Sequence, residues 1–267
     1  MAVKANHDIS SGLDTAFINS AINSNLAYRP EFVSNDYTQG KKVSVAIERE
    51  LRHCDAFYIS VAFITEGGLA PLKQVLAELR DKGIPGKILT TSYLTFTEPK
   101  ALKTLADLSN VEVRVYDSTD EGASGFHTKG YIFKEEEIYR FIVGSSNMTA
   151  SAFSVNKEWN TKLVSTSDGE LLKQMMTEFN ALWNSKHTLA VKDFIEDYEV
   201  RYRLIKEQKK NAAKEQMVDF QAYKLQPNKM QARFVSNFRK LLESNEHRGL
   251  LVSSCGSGKT YASAFAL

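Results

Sequence analysis

The sequence is poor in the residues that mark disulfide-rich, zinc-binding and membrane proteins. Its 267 residues include two cysteines, Cys54 and Cys255, far apart in the chain. We therefore expect no disulfide framework, no zinc site and a reducing, cytoplasmic compartment. The polar N-terminus precedes no long apolar run, so we expect no secretion signal and no membrane partner. A formal net charge of +2 gives no global attraction to nucleic acid. Any such attraction must therefore come from local patches of positive charge.

The most informative residues that are present lie between positions 127 and 158. His127-Thr128-Lys129 is followed by Gly-Ser-Ser-Asn at 144–147 and then by Glu158. Residues 131–133 and 138–143 are β-branched and aromatic, and the acidic segment between them favours a turn, so we predict a hairpin. Alternation in a strand places His127 and Lys129 on one face. Ser145 and Asn147 would follow the second strand and present polar groups able to hold a phosphate.

This combination resembles the phospholipase D superfamily, whose motif is His-x-Lys, four residues and Asp, followed later by Gly-Ser-x-Asn. The position of that Asp is occupied by Lys134. The branch that contains metal-independent restriction nucleases also lacks the Asp and uses a Glu about eleven residues after the Asn, where Glu158 stands. The resemblance therefore points toward nucleases rather than lipases.

The resemblance implies a catalytic role for each of these residues. His127 would attack phosphorus to form a phosphohistidine, while Glu158 accepts the other ring N–H. Lys129, Asn147 and Ser145 would hold the non-bridging oxygens. Ser146 competes with Ser145 for that role, and alternation with Asn147 favours Ser145. No metal ion or other cofactor is expected for this nuclease.

The leaving oxygen needs a second imidazole, and the chain contains no second His-x-Lys motif. Family members with a single motif dimerise, so that two copies of His127 face each other across a two-fold axis. We therefore expect a homodimer through the nuclease domain.

A second motif lies near the end of the sequence. The apolar segment 249–252 is predicted to be a strand, and 253–260 resembles motif I of superfamily 2 helicases, a loop that binds phosphate and Mg²⁺. Residues 225–231 resemble the adenine-reading segment of the same family. ATP and Mg²⁺ are therefore the cofactors expected for a full-length helicase part. The nucleotide-binding residues would be Gln231, Gly256, Gly258, Lys259 and Thr260.

The helicase segment is expected to be incomplete. The sequence ends at Leu267, about one turn into the helix that should follow the loop. A motor also needs an acidic Mg²⁺-binding motif and an arginine finger. We therefore expect the front piece of a longer protein, without ATP turnover of its own.

Alternating strand and helix patterns predict an α/β fold: a phospholipase D-like mixed sheet flanked by helices, plus a helical linker and an incomplete RecA-like segment. The expected domains are an N-terminal arm (1–40), the nuclease (41–186), the linker (187–221) and the helicase start (222–267). Helices are predicted at 10–27, 43–53, 67–83, 99–108, 170–183 and 190–220, and further strands at 56–63, 87–91, 111–116 and 161–164.

Three functions remain open from the sequence. The first is a metal-independent phosphodiesterase that cleaves DNA, as the nuclease module of a helicase-linked restriction or defence enzyme similar to ATP-dependent, modification-dependent restriction enzymes. The second is a catalytically degenerate module that binds DNA or dimerises, which Lys134 favours. The third is a hydrolase of lipids or small phosphodiesters, which the helicase-like segment disfavours.

Overall fold

The computed structural model describes residues 2–36, 38–218, 227–246, 248–250 and 259–266. The chain divides into two compact units, residues 1–206 and residues 207–267. Within the described ranges, no helix has both the length and the apolar character that crossing a membrane requires.

The first unit contains a mixed sheet and most of the helices. The strands are β1 Glu31–Val33, β2 Ala56–Val61, β3 Gly86–Thr91, β4 Val111–Tyr116, β5 Lys129–Glu135, β6 Ile138–Gly144, β7 Asn160–Thr166 and β8 Thr188–Ala190. The α-helices in the described ranges are α1 Ala2–Phe17, α2 Val43–Leu51, α3 Glu66–Leu69, α4 Lys73–Asp81, α5 Pro99–Ala106, α6 Ala150–Ser154, α7 Glu170–Trp183, α8 Val191–Val218, α9 Lys229–Glu243 and α10 Lys259–Ala266.

The strand order across the sheet is β1-β7-β6-β5-β2-β3-β4-β8. Strands β2, β3 and β4 run parallel to one another. The β5–β6 hairpin joins this group because β5 pairs antiparallel with β2, and β7 extends the sheet beyond β6. The hairpin therefore lies near the middle of the sheet, between β7 and β2. The loop that enters β5 and the loop that leaves β6 lie between the ends of these two strands.

Both faces of the sheet are covered. In β2, Phe57 and Ile59 point to one face and are buried in the main core with residues of α2, α4, α5 and α8. Tyr58 points to the other face and meets Phe179 of α7 edge-on, with 5.7 Å between ring centroids. The alternation of a strand thus lets one short segment contribute to two cores. This arrangement confirms the predicted mixed sheet with flanking helices.

Most predicted elements lie within a few residues of their expected positions, but the first helix does not. The predicted helix 10–27 begins at Ala2 and ends at Phe17. The following residues are rich in Asn and Ser, whose side chains compete for backbone groups. The side-chain carbonyl of Asn19 accepts from the backbone N–H of Ala21, and Asn25 accepts from Ala27 in the same way. The Asn19 bond forms a turn just after the helix, and the Asn25 bond begins the 3-10 turn at Leu26–Tyr28, so residues 18–27 are not α-helical.

The predicted helix 67–83 is divided into two. It consists of α3, a 3-10 turn at Ala70–Leu72, and α4. Pro71 lies in that turn, and because proline lacks a backbone N–H it cannot continue the helical ladder. Strands β1 and β8, of three residues each, were not predicted because so short a segment gives no periodic signal.

The segment predicted as a helical linker is packed against the first unit at its beginning. Val191, Phe194 and Tyr198 of α8 are buried in the core of the first unit. Within the second unit, α9 and α10 contact each other. The predicted strand at 249–252 is not seen at residues 249 and 250, and its remaining positions lie outside the described residues.

Candidate active site

Four strand ends meet at one edge of the sheet and bring the candidate residues close together. Lys129, the first residue of β5, is paired in register with Val61, the last residue of β2. Gly144, at the end of β6, is paired with Asn160, at the start of β7. The loops that carry the remaining candidate residues leave from these ends.

His127 lies in the loop before β5, and not in the strand as the alternation argument had it. Lys129 nevertheless reaches it: the Nζ atom lies 2.8 Å from Nδ1 and 3.4 Å from Nε2, and donates to the His127 carbonyl at 2.9 Å. The ring also meets Phe63 edge-on, with 5.8 Å between centroids. The Lys129 side chain therefore folds back onto the loop, and its ammonium contacts both the ring and the carbonyl of His127.

The Lys129 ammonium lies in a partly buried place. Burial lowers its pKa from the usual value, while the negative charge of Glu158 acts in the opposite direction. Glu158 and Lys129 thus interact electrostatically, which ties the far end of the motif to the His-x-Lys segment.

Ser145 joins the end of β6 to the segment that carries Glu158. Its hydroxyl donates to the Glu158 carboxylate, whose residue is 8% exposed. The backbone N–H of Ser145 donates to the Trp159 carbonyl at 3.1 Å, and the N–H of Trp159 donates to Ser145 Oγ at 3.1 Å. Among the residues that the structure describes, no hydrogen bond joins Glu158 to His127. The contact that the resemblance implied is therefore replaced by one to Ser145.

Ser146 belongs to the scaffold beneath the site. Its side chain is fully buried, and its Oγ accepts from Asn160 Nδ2 at 2.9 Å. Its N–H donates to Asn160 Oδ1 at 3.2 Å, and Tyr131 Oη donates to its carbonyl at 2.9 Å. Of the two serines, Ser145 is thus the one whose hydroxyl lies beside the candidate catalytic groups.

Asn160 and Tyr131 are positioning residues that the sequence reasoning missed. Asn160 Nδ2 also donates to the Val33 carbonyl at 3.1 Å, so one buried side chain joins β1 to the segment after β6. A signal existed for Tyr131, because it lies two residues after Lys129 in a strand and therefore shares its face. Burial raises the pKa of the Tyr131 hydroxyl well above its usual value, so it remains a neutral donor.

Asn147 is held by the segment after β2. Its Oδ1 accepts from the backbone N–H of Phe63 at 3.1 Å. Met148 N donates to the Phe63 carbonyl at 3.1 Å, which fixes the backbone beside it. No acceptor for Asn147 Nδ2 is found in the described part of the chain, so this group is placed to donate to a ligand.

Lys134, the departure from the family motif, lies away from these residues. It is paired with Ala56 and Tyr139 near the opposite end of β5. Five residues of extended strand separate it from Lys129, about 17 Å. Its side chain therefore has no direct contact with the candidate site.

The predicted nucleotide-binding residues are only partly described. Gln231 is buried and forms a capping box with Asn228: Gln231 N donates to Asn228 Oδ1, and Asn228 N donates to Gln231 Oε1, each at 2.9 Å. Lys259 and Thr260 begin α10, but their side chains are outside the described residues. Gly256 and Gly258 lie outside them entirely.

Comparison with known families agrees with the architecture. Residues 54–183 match a phospholipase D-like family. That family is described as "Cardiolipin synthase, PLD-like domain", and the match covers just under half of the chain. The mixed sheet with helices on both faces is accordingly a phospholipase D-like fold. Residues 224–267 match the family "Type III restriction enzyme, res subunit". No curated protein matches the chain.

Several solved structures align with a large part of the chain. NucT from Helicobacter pylori is 14% identical, with 61% of this chain and 98% of that chain covered and a TM-score of 0.47. Nuc from Salmonella typhimurium, a phospholipase D family member, is 16% identical, with the same shares covered and a TM-score of 0.46. Phosphatidylserine synthase from Haemophilus influenzae is 15% identical, with 71% and 46% covered and a TM-score of 0.46.

Proposed function

We propose that the first unit is a phosphodiesterase that cleaves DNA without a metal ion, through a phosphohistidine intermediate. The observation that carries this proposal is the Lys129 ammonium 2.8 Å from Nδ1 of His127, at the sheet edge that also holds Ser145, Asn147 and Glu158. A nucleophile, cationic and neutral donors, and a carboxylate are the groups that phosphoryl transfer to an imidazole requires.

The His127–Lys129 contact suits a nucleophilic imidazole. The ammonium lies beside both ring nitrogens, so a phosphate bound by Lys129 would lie next to the nitrogen that attacks phosphorus. In the first step a ring nitrogen of His127 forms a bond to phosphorus, and the bond from phosphorus to the leaving oxygen breaks. The leaving oxygen takes a proton from a second imidazole. In the second step the second imidazole, now neutral, takes a proton from water, the water oxygen bonds to phosphorus and the N–P bond breaks, which restores both rings.

The other residues have roles that follow from their contacts. Lys129 and the Nδ2 group of Asn147 donate to the non-bridging oxygens, where negative charge increases in the transition state. Ser145 joins them when its hydroxyl turns from the Glu158 carboxylate to the phosphate. Glu158 then stabilises the cationic ring through its charge.

The second imidazole comes from a second copy of the chain. Among the described residues, the buried His187 is bonded to Asp120 through Nδ1 at 2.6 Å, and His53 Nδ1 lies 2.8 Å from the Arg49 carbonyl. Both therefore have other partners, His7 of α1 lies 3.9 Å from its neighbour Asp8, and no other His-x-Lys segment exists. A two-fold dimer supplies a second His127 with its own Lys129. Light scattering should give twice the chain mass of 30.0 kDa.

We further propose that this nuclease is a module of a helicase-linked restriction or DNA-defence enzyme. The match of residues 224–267 to a restriction-enzyme subunit supports this role. Lys259 and Thr260 at the start of α10 suit a phosphate site, because helix N-termini attract anions. In a full-length protein they would hold ATP and Mg²⁺ together with Gly256 and Gly258.

Plasmid cleavage in EDTA tests the proposed activity. We expect nicked and linear DNA to form with the unchanged chain and to disappear with His127→Ala. His53→Ala is the matched control, because His53 is also an exposed histidine but has no partner among the candidate residues. Cleavage that survives His127→Ala, or that requires a divalent ion, would contradict the proposal.

One observation favours a second candidate, a module that binds DNA without cleaving it. The Glu158 carboxylate is bonded to Ser145 and not to His127, so the ring lacks the carboxylate partner that a nucleophilic histidine commonly has. In that case the chain would bind DNA with unchanged affinity after His127→Ala, and no cleavage would be detected for either protein.

A further inference from the structure

Two large aromatic side chains are exposed beside the candidate site. Trp159 is 75% exposed and Phe32 is 62% exposed. Their rings meet edge-on, with centroids 5.7 Å apart and planes at 87°. Trp159 directly follows Glu158, so this ring pair lies next to the candidate catalytic groups. We call Trp159 and Phe32 the aromatic pair.

The position of the aromatic pair is fixed by the backbone. Trp159 exchanges two hydrogen bonds with Ser145, one from each backbone N–H. Phe32 lies in β1, which is paired with β7 so that Phe32 is opposite Thr161. Both rings are therefore carried by backbone segments that hydrogen bonds hold in place.

The surface next to Phe32 is positively charged. A groove of about 450 Å³ is lined by Phe32 together with Lys41 and Lys42. Glu31 and Arg49 also line it, but they form an ion pair of 3.0 Å with each other. Both lysines are exposed, and neither has a carboxylate within ion-pair distance in the described part of the chain. The charge that remains available to a ligand is therefore cationic.

Exposed rings beside cations match the chemistry of an unpaired nucleic-acid strand. Bases stack on aromatic side chains only when they are not enclosed in a duplex, and lysines attract the phosphates. A second copy of the chain fits this surface less well, because a two-fold contact here would bring two sets of lysines together.

We propose that the aromatic pair is a stacking platform for unpaired bases, with Lys41 and Lys42 beside the phosphates, so that the site binds single-stranded DNA next to the scissile linkage. This inference rests on the proposed function and adds the class of substrate. Trp159 is a specificity-determining residue in this account, since it recognises the state of the strand and takes no part in bond cleavage.

Tryptophan fluorescence gives a direct test, because the only other tryptophan is buried. Trp183 is 3% exposed, so a change caused by a ligand reports on Trp159. We would add oligothymidylate, or a blunt duplex of equal length, to the chain carrying His127→Asn in EDTA. The affinity comes from the anisotropy of labelled DNA. We expect quenching by the single strand.

Variants of the ring give the quantitative expectation. Trp159→Ala should raise the Kd for the single strand at least about fivefold and change the Kd for the duplex less than about twofold, since stacking on one ring has this size. Trp159→Phe should restore most of the affinity. Phe17→Ala is the control, because Phe17 is as exposed as Phe32 but lies on α1.

The possible outcomes separate this inference from the proposed function. Single-strand affinity unaffected by Trp159→Ala would overturn the inference. So would Trp159 fluorescence that changes with protein concentration in the absence of DNA, because a second copy would then cover the ring. If the unchanged chain cuts DNA and Trp159→Ala cuts single strands equally well, the function stands and the inference fails. If single strands quench Trp159 and nothing is cut, the function fails.

Discussion

Replacing Asn160 by alanine should remove the hydrogen bonds that hold the candidate site on its scaffold. The Asn160 side chain is 2% exposed and makes three hydrogen bonds, to Ser146 N, Ser146 Oγ and the Val33 carbonyl. Alanine has no polar side-chain atom, so these buried groups lose their partner. Ser145 directly precedes Ser146 in the chain, so it would then lose its fixed position.

The size of the effect follows from the number of bonds. Each bond contributes about 1 kcal/mol net, and buried groups left unpaired cost somewhat more, so we expect a loss of about 3 kcal/mol in the free energy of unfolding. For a unit of this size that corresponds to a melting temperature lower by about 6–12 °C. The rate of DNA cleavage should also fall, because the donors would no longer be held in the productive geometry.

Urea unfolding followed by tryptophan fluorescence measures this, since Trp159 and Trp183 both belong to the first unit. Asn180→Ala is the matched control: Asn180 is exposed on α7, and we expect a change within about 0.5 kcal/mol. A loss below about 1 kcal/mol for Asn160→Ala, or one equal to that of the control, would refute the network described above.

Three further predictions concern neighbouring residues. Tyr131→Phe removes the donor to the buried Ser146 carbonyl and should cost about 1–2 kcal/mol in urea unfolding, with the same slope. Because the Lys129 pKa is lowered, the ammonium is lost at a pH below its usual 10.5, so kcat/KM should fall on the alkaline side below that pH, and Lys129→Arg should move the fall to higher pH. Gly144→Ala would place Cβ 2.2 Å from the Trp159 carbonyl and should reduce both stability and cleavage, whereas Gly125→Ala, with open space around it, should change neither.

The sequence predicted the elements that have a clear period. The hairpin β5–β6 and helix α7 lie where alternation and 3.6-residue spacing placed them, because half-buried strands and amphipathic helices repeat at those intervals. The three-residue strands β1 and β8 carry no such repeat, and they form because β7 and β4 offer free edges in the folded sheet. Beyond Phe17, side-chain hydrogen bonds of Asn19 and Asn25 form turns where a helix was expected, and periodicity does not reveal them.

The proximity of the candidate residues was predictable, and their contacts were less so. His127, Lys129, Ser145, Asn147 and Glu158 all belong to loops and strand ends at one edge of the sheet, and their spacing indicated this. The partner of the Glu158 carboxylate was not predictable, since it depends on how the segment before β7 meets the end of β6. The hydrogen bonds of Asn160 to Val33 join residues distant in sequence, so no local pattern contains them. The catalytic roles of these residues stay predictions.

Trapping the covalent intermediate tests the central claim most directly. The chain would be mixed in excess with DNA radiolabelled at its phosphates, in EDTA, and stopped with alkali at times within the first turnover, because a phosphorus–nitrogen bond on histidine survives base and breaks in acid. Labelled peptides would then be identified by mass spectrometry. We predict an adduct on His127 that forms as strands are cut and decays as water hydrolyses it. Strand cleavage without any adduct, or an adduct on another residue, would contradict the mechanism.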